Sequence, residues 1–328
     1  MRWILTSLVL IIISLIAIPS IIVRGVDYRT SSYHPAKTDD GVMIKVYLHE
    51  QKQIKEMNFE EYVKGVVAAE MPAEFDLEAL KAQAVATRTY AARNMPMFGG
   101  TGSFSHPGAD ISTSIDEGQA WVDQETLKIR WGENKYSNYW LKINRAVEET
   151  RGVVITYNGE MINSVYHSTS GGQTEDSSDI WGQTIPYLKS VACPWDQNSP
   201  RYKGQKQFTL NEIEGVLGPD AGVITAVQNG KSDLVQIIEK TSSGRVKRVR
   251  IGSKVFDGTV VREKLGLQST NFIWAIEGDK VRFDTTGYGH GVGMSQYGAN
   301  GLAKEGKGYQ EILKYFYQGV QLSNMYGS

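Results

Sequence analysis

Cysteine is nearly absent: Cys193 stands alone among 328 residues. No intramolecular disulfide can form, which excludes a disulfide-stapled secreted scaffold. The lone thiol, in "SVACPWD", reads as a small core residue. An excess of charge of one sign is lacking too, with 35 basic against 36 acidic residues and a net charge of −1. No basic stripe marks a nucleic-acid partner. Metal-ligand spacing is missing: His34, His49, His106, His167 and His290 form neither H-E-x-x-H nor H-x-x-E-H, so no catalytic metal or other cofactor is signalled. There is no G-x4-G-K-[ST] phosphate loop. A serine-hydrolase pairing of Ser295 or Ser170 with His290 or His167 lacks the G-x-S-x-G elbow. Internal repeats are not evident. What the chain does have is seven Trp and seventeen Tyr, flat faces suited to stacking on sugar rings, although each taken singly is as readily core.

Long hydrophobic runs are also scarce, with one exception. Trp3 to Val23 carries no charge over 21 residues and is flanked by Arg2 and Arg24. About 20 apolar residues at 1.5 Å per residue cover a bilayer core. A cleaved signal peptide is the competing reading, but the run is long for one and no A-x-A site follows. The spacing predicts a single-pass anchor over residues 1–24, with a short positive N-terminus in the cytoplasm and the rest of the chain outside. Residues 25–40 read as a linker.

Beyond it, "GVMIKVYLHE" (41–50) alternates like a strand, and two helices follow. Met95–Gly108 is a Gly/Ser/Pro loop. Asn144–Thr150 is a short helix leading into two strands joined at Asn158-Gly159, a hairpin signal. From about 205 to 285, strand-like runs including "VKRVRIG" and "TVVREKLGL" alternate with turns and one short helix. Strands and helices are segregated, so the class is α+β: one mixed catalytic domain over 41–320, whose β-rich segment forms one side of a cleft.

The strongest chemical signal is "NFEEYVKGVVAAEMP". Asn58 is a good N-cap, with Glu61 at the N3 position of a capping box. Phe59, Tyr62, Val63, Val66 and Val67 define one apolar face, and Glu70 falls on it before Met71-Pro72 stops the helix. A carboxylate on such a face must find a cation or hold its proton. The first alternative is a buried ion pair that only fixes packing; the second is a raised pKa suited to a general acid. In the next helix, capped by Asp76 and rich in Ala, Lys81 and Arg88 share a face. They could pair with Glu70, orient a carboxylated or amide-bearing sugar, or snorkel to solvent.

Two small-residue clusters complete the pattern, "YHSTSGGQTEDSSDIWG" (166–182) and "GYGHGVGMSQYGANGLAKEG" (287–306). Glycines let backbone approach a bulky ligand, and helix-opening N–H groups near Met294 can bond acetamido or hydroxyl oxygens. Ser170, Gly171 and Gly172 on one side, and His290, Gln296 and Tyr297 on the other, are candidate substrate-binding residues walling a cleft that faces Glu70.

Together, "YVKGVVAAEMPAEFDLEALKAQAVATRTYA", "YHSTSGGQTEDSSDIWG", "REKLGLQSTNF" and "GYGHGVGMSQYGA" resemble the stage II sporulation protein D (SpoIID/LytB) family, over about residues 41–320. The resemblance implies a lytic transglycosylase that cuts between N-acetylmuramic acid and N-acetylglucosamine in peptidoglycan and leaves a 1,6-anhydro end. It makes Glu70 the catalytic acid and Lys81 and Arg88 residues needed for function. It further implies action on strands already stripped of stem peptides during engulfment of the forespore, with a cell-wall amidase and a membrane scaffold protein as partners. Clostridial relatives bind zinc through Cys and His after the two helices. Here that stretch, "SHPGADISTSIDEGQAW", has His106 and no cysteine, so no zinc is expected. A two-carboxylate hydrolase scheme needs a second acid at a set distance, and none stands out in these motifs. The rival from another class is a non-catalytic glycan binder that recruits or activates an amidase.

Overall fold

A computed structural model describes residues 41–228 and 234–326. The anchor and linker expected over 1–40 lie outside the described residues. Among the described residues, no helix is long and apolar enough to cross a membrane.

The first core is built around two helices. Strand Met43–Leu48 turns Ile44, Val46 and Leu48 inward, pairs antiparallel with Gln53–Asn58, and is flanked on its other edge by Ile111–Ser112. Helix α1 (Phe59–Glu70) follows directly, then α2 (Leu77–Asn94). In α2, Ala79, Ala82, Ala84, Ala86, Ala91 and Ala92 are all buried. Such small side chains let neighbours close in from several directions, and α2 becomes the central post of the fold, packed by α1, by strand Val153–Tyr157 and by later helices.

Helices α3 (Gln124–Trp131) and α4 (Glu133–Glu148) meet at Gly132, whose φ of 70° turns the chain. The expected short helix at 144–150 is thus the end of a longer one. Only Leu127 of α3 is buried, so that helix carries little apolar periodicity, whereas α4 lays Tyr136, Tyr139, Trp140, Ile143, Ala146 and Val147 along one face against the core. The hairpin at Asn158-Gly159 forms as expected: Tyr157 faces Glu160, and both turn residues have positive φ (51° and 85°), as a two-residue type I′ turn requires. Its second strand is only Glu160–Met161, and Gln321–Asn324 pairs on the far edge.

After the short α5 (Ser177–Trp181), the chain builds a second core. Strands 203–209, 280–286 and 272–277 form one sheet, and 235–240, 246–251 and 254–257 another. They enclose α6 (Leu210–Leu217), α7 (Val223–Gln228) and α8 (Gly258–Lys264) around Ile213, Val249, Val261 and Phe283. "TVVREK", expected as a strand, is α8. Burial of Val261 in this core outweighs the β-preference of its Val pair. The chain then returns through α9 (Gln296–Lys304) and α10 (Tyr309–Phe316), both packed on α2. A short parallel pairing of Tyr166–His167 with Met294–Ser295 brings the two glycine-rich segments side by side.

Candidate active site

Asn58 caps α1, its side chain accepting from the N–H groups of Glu60 (3.0 Å) and Glu61 (3.2 Å). Glu61 turns its carboxylate to Lys64 at 2.6 Å. The helix ends at Glu70 because Met71, before Pro72, is extended. Glu70 is therefore the last helical residue, half-buried at the rim of a cleft of about 720 Å³. Its Oε1 accepts from Ala120 N–H at 3.0 Å, and its other oxygen has no partner among the described residues. Burial raises its pKa to about 7, against the opposing bond from Ala120. The negative end of the α1 dipole acts in the same direction as burial.

The cleft is walled by aromatic faces, Tyr90, Trp131, Tyr166, Tyr288 and Tyr297. Behind Glu70 runs a hydroxyl–amide chain that the sequence reading missed: Tyr62 Oη donates to Gln119 Oε1 (3.2 Å), and Gln119 Nε2 donates to Tyr166 Oη (3.0 Å). Both phenols are held neutral, chiefly by burial. No cation touches Glu70 among the described residues.

The two expected basic partners are engaged elsewhere, which corrects their assignment to substrate. Arg88 is fully buried and bidentate on Glu60 (2.8 and 2.7 Å), with further bonds to the carbonyls of Val147 and Val153. Lys81 lies between Glu78 and Glu149, 2.6 Å from each, away from the cleft. With neither cation at Glu70, burial is left to raise its pKa.

The glycine-rich segments divide. His290, Gln296 and Tyr297 line the same cleft as Glu70. His290, however, spends both ring nitrogens on backbone: Nδ1 accepts from Val292 N–H (3.1 Å) and Nε2 donates to the Tyr166 carbonyl (3.0 Å). Burial lowers its pKa to about 4, so it is a neutral brace presenting a ring face. Gln296 donates to Gln83 Oε1 at 3.4 Å. Ser170, Gly171 and Gly172 do not line the cleft, a second correction. Asp196 draws that loop inward, accepting from Ser170 Oγ and from the N–H groups of Ser170 and Gly171 (2.5 and 3.0 Å). The β-rich segment does not form a cleft side either: no described residue between Tyr202 and Gly287 lines it. That segment closes on its own core and supports the wall from behind, through Arg245.

Arg245, a residue without a sequence motif, is buried against Glu175 (3.1 Å) and donates to the carbonyls of Ser170 (2.5 Å) and Gly289 (3.3 Å). It clamps both loops together. A Cβ on Gly291 would lie 2.6 Å from its guanidinium carbon, and Gly291 has φ +88°. Gly291→Val is therefore expected to lower stability by about 2–3 kcal/mol and glycan affinity along with it. Thermal melts beside binding assays check this, and a variant with native stability and weakened binding would contradict the clamp.

His106 stacks on Tyr47 at 3.5 Å and its Nε2 lies 3.3 Å from Glu117. Among the described residues, no three His, Cys, Asp or Glu side chains gather to hold an ion. The donor set around His106 does not fit the zinc of clostridial relatives.

The family model for stage II sporulation protein (SpoIID) matches residues 47–157. Stage II sporulation protein D of Bacillus subtilis (strain 168) is 42% identical over 282 residues, covering 86% of this chain and 79% of its own. The protein of the same name from Bacillus amyloliquefaciens is 38% identical over 296 residues, 90% and 83% of the two chains. The amidase enhancer of Bacillus subtilis is 29% identical over 311 residues, spanning 80% of this chain but 40% of its own.

Proposed function

The chain belongs to the stage II sporulation protein D family, and from that premise we propose that it is a lytic transglycosylase acting on peptide-stripped peptidoglycan strands during sporulation. The observation that carries this reading is Glu70: a carboxyl with pKa about 7, without a cation partner among the described residues, in a cleft walled by aromatic rings.

In the first step, protonated Glu70 gives its proton to the glycosidic oxygen as the bond from muramic acid C1 to that oxygen breaks. The acetamido group at C2 and the neutral phenols around the cleft accompany the developing cation. In the second, the Glu70 carboxylate takes the proton of the muramic C6 hydroxyl while O6 bonds to C1 and closes the anhydro ring. One group serves as acid and then base, so a second carboxylate is not required, in contrast to the hydrolase scheme. The test is product analysis: full-length protein in detergent micelles, incubated with peptide-stripped strands, should release anhydro-muramyl ends, whereas reducing ends would indicate a hydrolase.

The acid form initiates the reaction, so kcat/KM should be level below neutrality and fall about tenfold per pH unit above pH 7. A rate that instead rises through pH 7 would exclude Glu70 as the initiating acid.

We place the cleft outside the cell membrane, on a single-pass anchor with a cytoplasmic N-terminus. The 21-residue apolar run supports this, and detection of mature chain beginning after Val23 would refute it. A cell-wall amidase and a membrane scaffold protein are the proposed partners. The 29% identical amidase enhancer favours a second reading, in which the cleft holds glycan without cutting it and activates that amidase. Absence of anhydro product with strand binding intact would select it.

A further inference from the structure

We propose that Arg201 reads the free lactyl carboxylate of muramic acid and so makes the cleft selective for strands whose peptides have been removed. This deepens the glycan-cleaving reading and rests on it. The cleft is lined by three carboxyl groups, Glu70, Glu74 and Asp116, and by two guanidinium groups, Arg130 and Arg201. Glu74 accepts from Tyr139 Oη at 2.6 Å, and that bond holds it below the usual carboxylate range. Neither guanidinium has an ion pair among the described residues. They differ in how they are held. Both are exposed, and Arg130, near the C-terminal end of α3, has no ring beneath it among the described residues. Arg201 lies over the ring of Tyr288 at 4.6 Å, and Tyr288 itself lines the cleft.

The backbone beneath Arg201 is tied down as well. Its N–H donates to Ser199 Oγ (3.1 Å), which meets Thr169 Oγ1 at 2.8 Å, while the carbonyl of Tyr202 accepts from Gly287 N–H (2.8 Å). The turn that carries Arg201 is thus fastened to both glycine-rich segments. A guanidinium pre-set on an aromatic face, with its N–H fork unused, is a carboxylate receptor awaiting its anion.

Peptidoglycan supplies one carboxylate on the sugar itself. While the stem peptide is attached, the lactyl carbonyl is a neutral amide. An amidase that removes the peptide leaves an anion there. A cleft that requires this anion acts only after the amidase, which orders the two reactions through charge rather than through direct contact between enzymes.

The test uses full-length protein carrying Glu70→Gln, in detergent micelles, so that binding is read without turnover. Two ligands are compared: peptide-stripped strands with free lactyl carboxylates, and the same strands with those groups converted to neutral methylamides. We expect the free-acid strands to bind about 10- to 100-fold more tightly. Adding Arg201→Ala should bring free-acid binding down to the methylamide level and leave methylamide binding unchanged, and Arg201→Lys should restore part of the difference. Equal binding of both strands, or an Arg201→Ala loss shared by both, overturns the assignment while leaving the glycan cleft intact. Binding of neither strand overturns the glycan reading and this assignment with it.

Discussion

Replacing Glu70 with glutamine is expected to lower strand cleavage by about 10²- to 10⁴-fold, the range for a lost general acid, while leaving strand binding in place. The amide is isosteric and its oxygen can still accept from Ala120 N–H, so the rim of the cleft should not rearrange. A second consequence concerns stability and is independent of any assay of cleavage. The Glu70 pKa is raised from 4.5 to about 7 in the folded state. Between those values the folded chain binds more protons than the unfolded one, so burial of this group makes stability fall as pH rises from about 4.5 to about 7, with no further change above. Glutamine has no charge to bury. The variant should match the wild type near pH 4.5, become progressively more stable than it up to about pH 7, and keep a constant advantage above that. Urea unfolding at pH 4.5, 6 and 8 measures the gap. A constant difference across that range would mean that Glu70 ionises normally, and retained turnover would end the single-acid mechanism.

The helix that holds Glu70 also holds Glu60, and the contrast shows how one sequence gives two carboxylates opposite fates. Glu60 sits in the first turn, where the helix dipole favours its charge, and meets a bidentate guanidinium in the interior. Glu70 sits ten residues later at the unfavourable end, with one backbone N–H as its partner. The difference lies in which cation reaches which carboxylate, and that is decided by tertiary packing.

That is also where legibility in the sequence ends. The cap at Asn58, the stop at Met71-Pro72 and the apolar spacing from Phe59 to Val67 are local, and they located both α1 and Glu70. The Asn158-Gly159 turn was legible for the same reason: only a few residues accept positive φ there. α3 was not, because it buries only Leu127, and the face of α4 is drawn by Tyr136, Tyr139 and Trp140, aromatic residues that signal a helix less plainly than aliphatic ones. Nor were the partners of Arg88 and Lys81. Seven-residue spacing put them on one face, but Glu60 is 28 positions from Arg88 and Glu149 is 68 from Lys81, and nothing local marks such pairings. The Ser170–Gly172 loop looked like a ligand cradle because glycine is common to cradles and to tight internal turns. Asp196, which chooses the second role, lies in a 3₁₀ turn with no motif. Gln119 and Tyr166 escaped notice because a neutral hydrogen-bonded chain has no compositional signature.

Arg88→Ala should be among the most damaging single substitutions in the chain, and it should act through folding. The side chain is fully buried, as is Glu60, and removing the guanidinium leaves an unpaired carboxylate and takes a donor from the carbonyls of Val147 and Val153. Breaking a buried pair from one side costs about 3–5 kcal/mol, enough to leave a marginally stable domain largely unfolded at growth temperature. Loss of function on mutating this position would then say nothing about glycan contact. The double variant Glu60→Gln with Arg88→Met separates the two explanations. It removes both charges while keeping apolar volume, and replacing an intact buried pair in this way is often close to neutral, so about half or more of the lost stability should return. Activity should return in step with it, because neither side chain reaches the cleft. Chemical denaturation and product release, measured on wild type, Arg88→Ala and the double variant, give the comparison. A double variant that folds like the wild type and cuts nothing would place Arg88 in the chemistry after all.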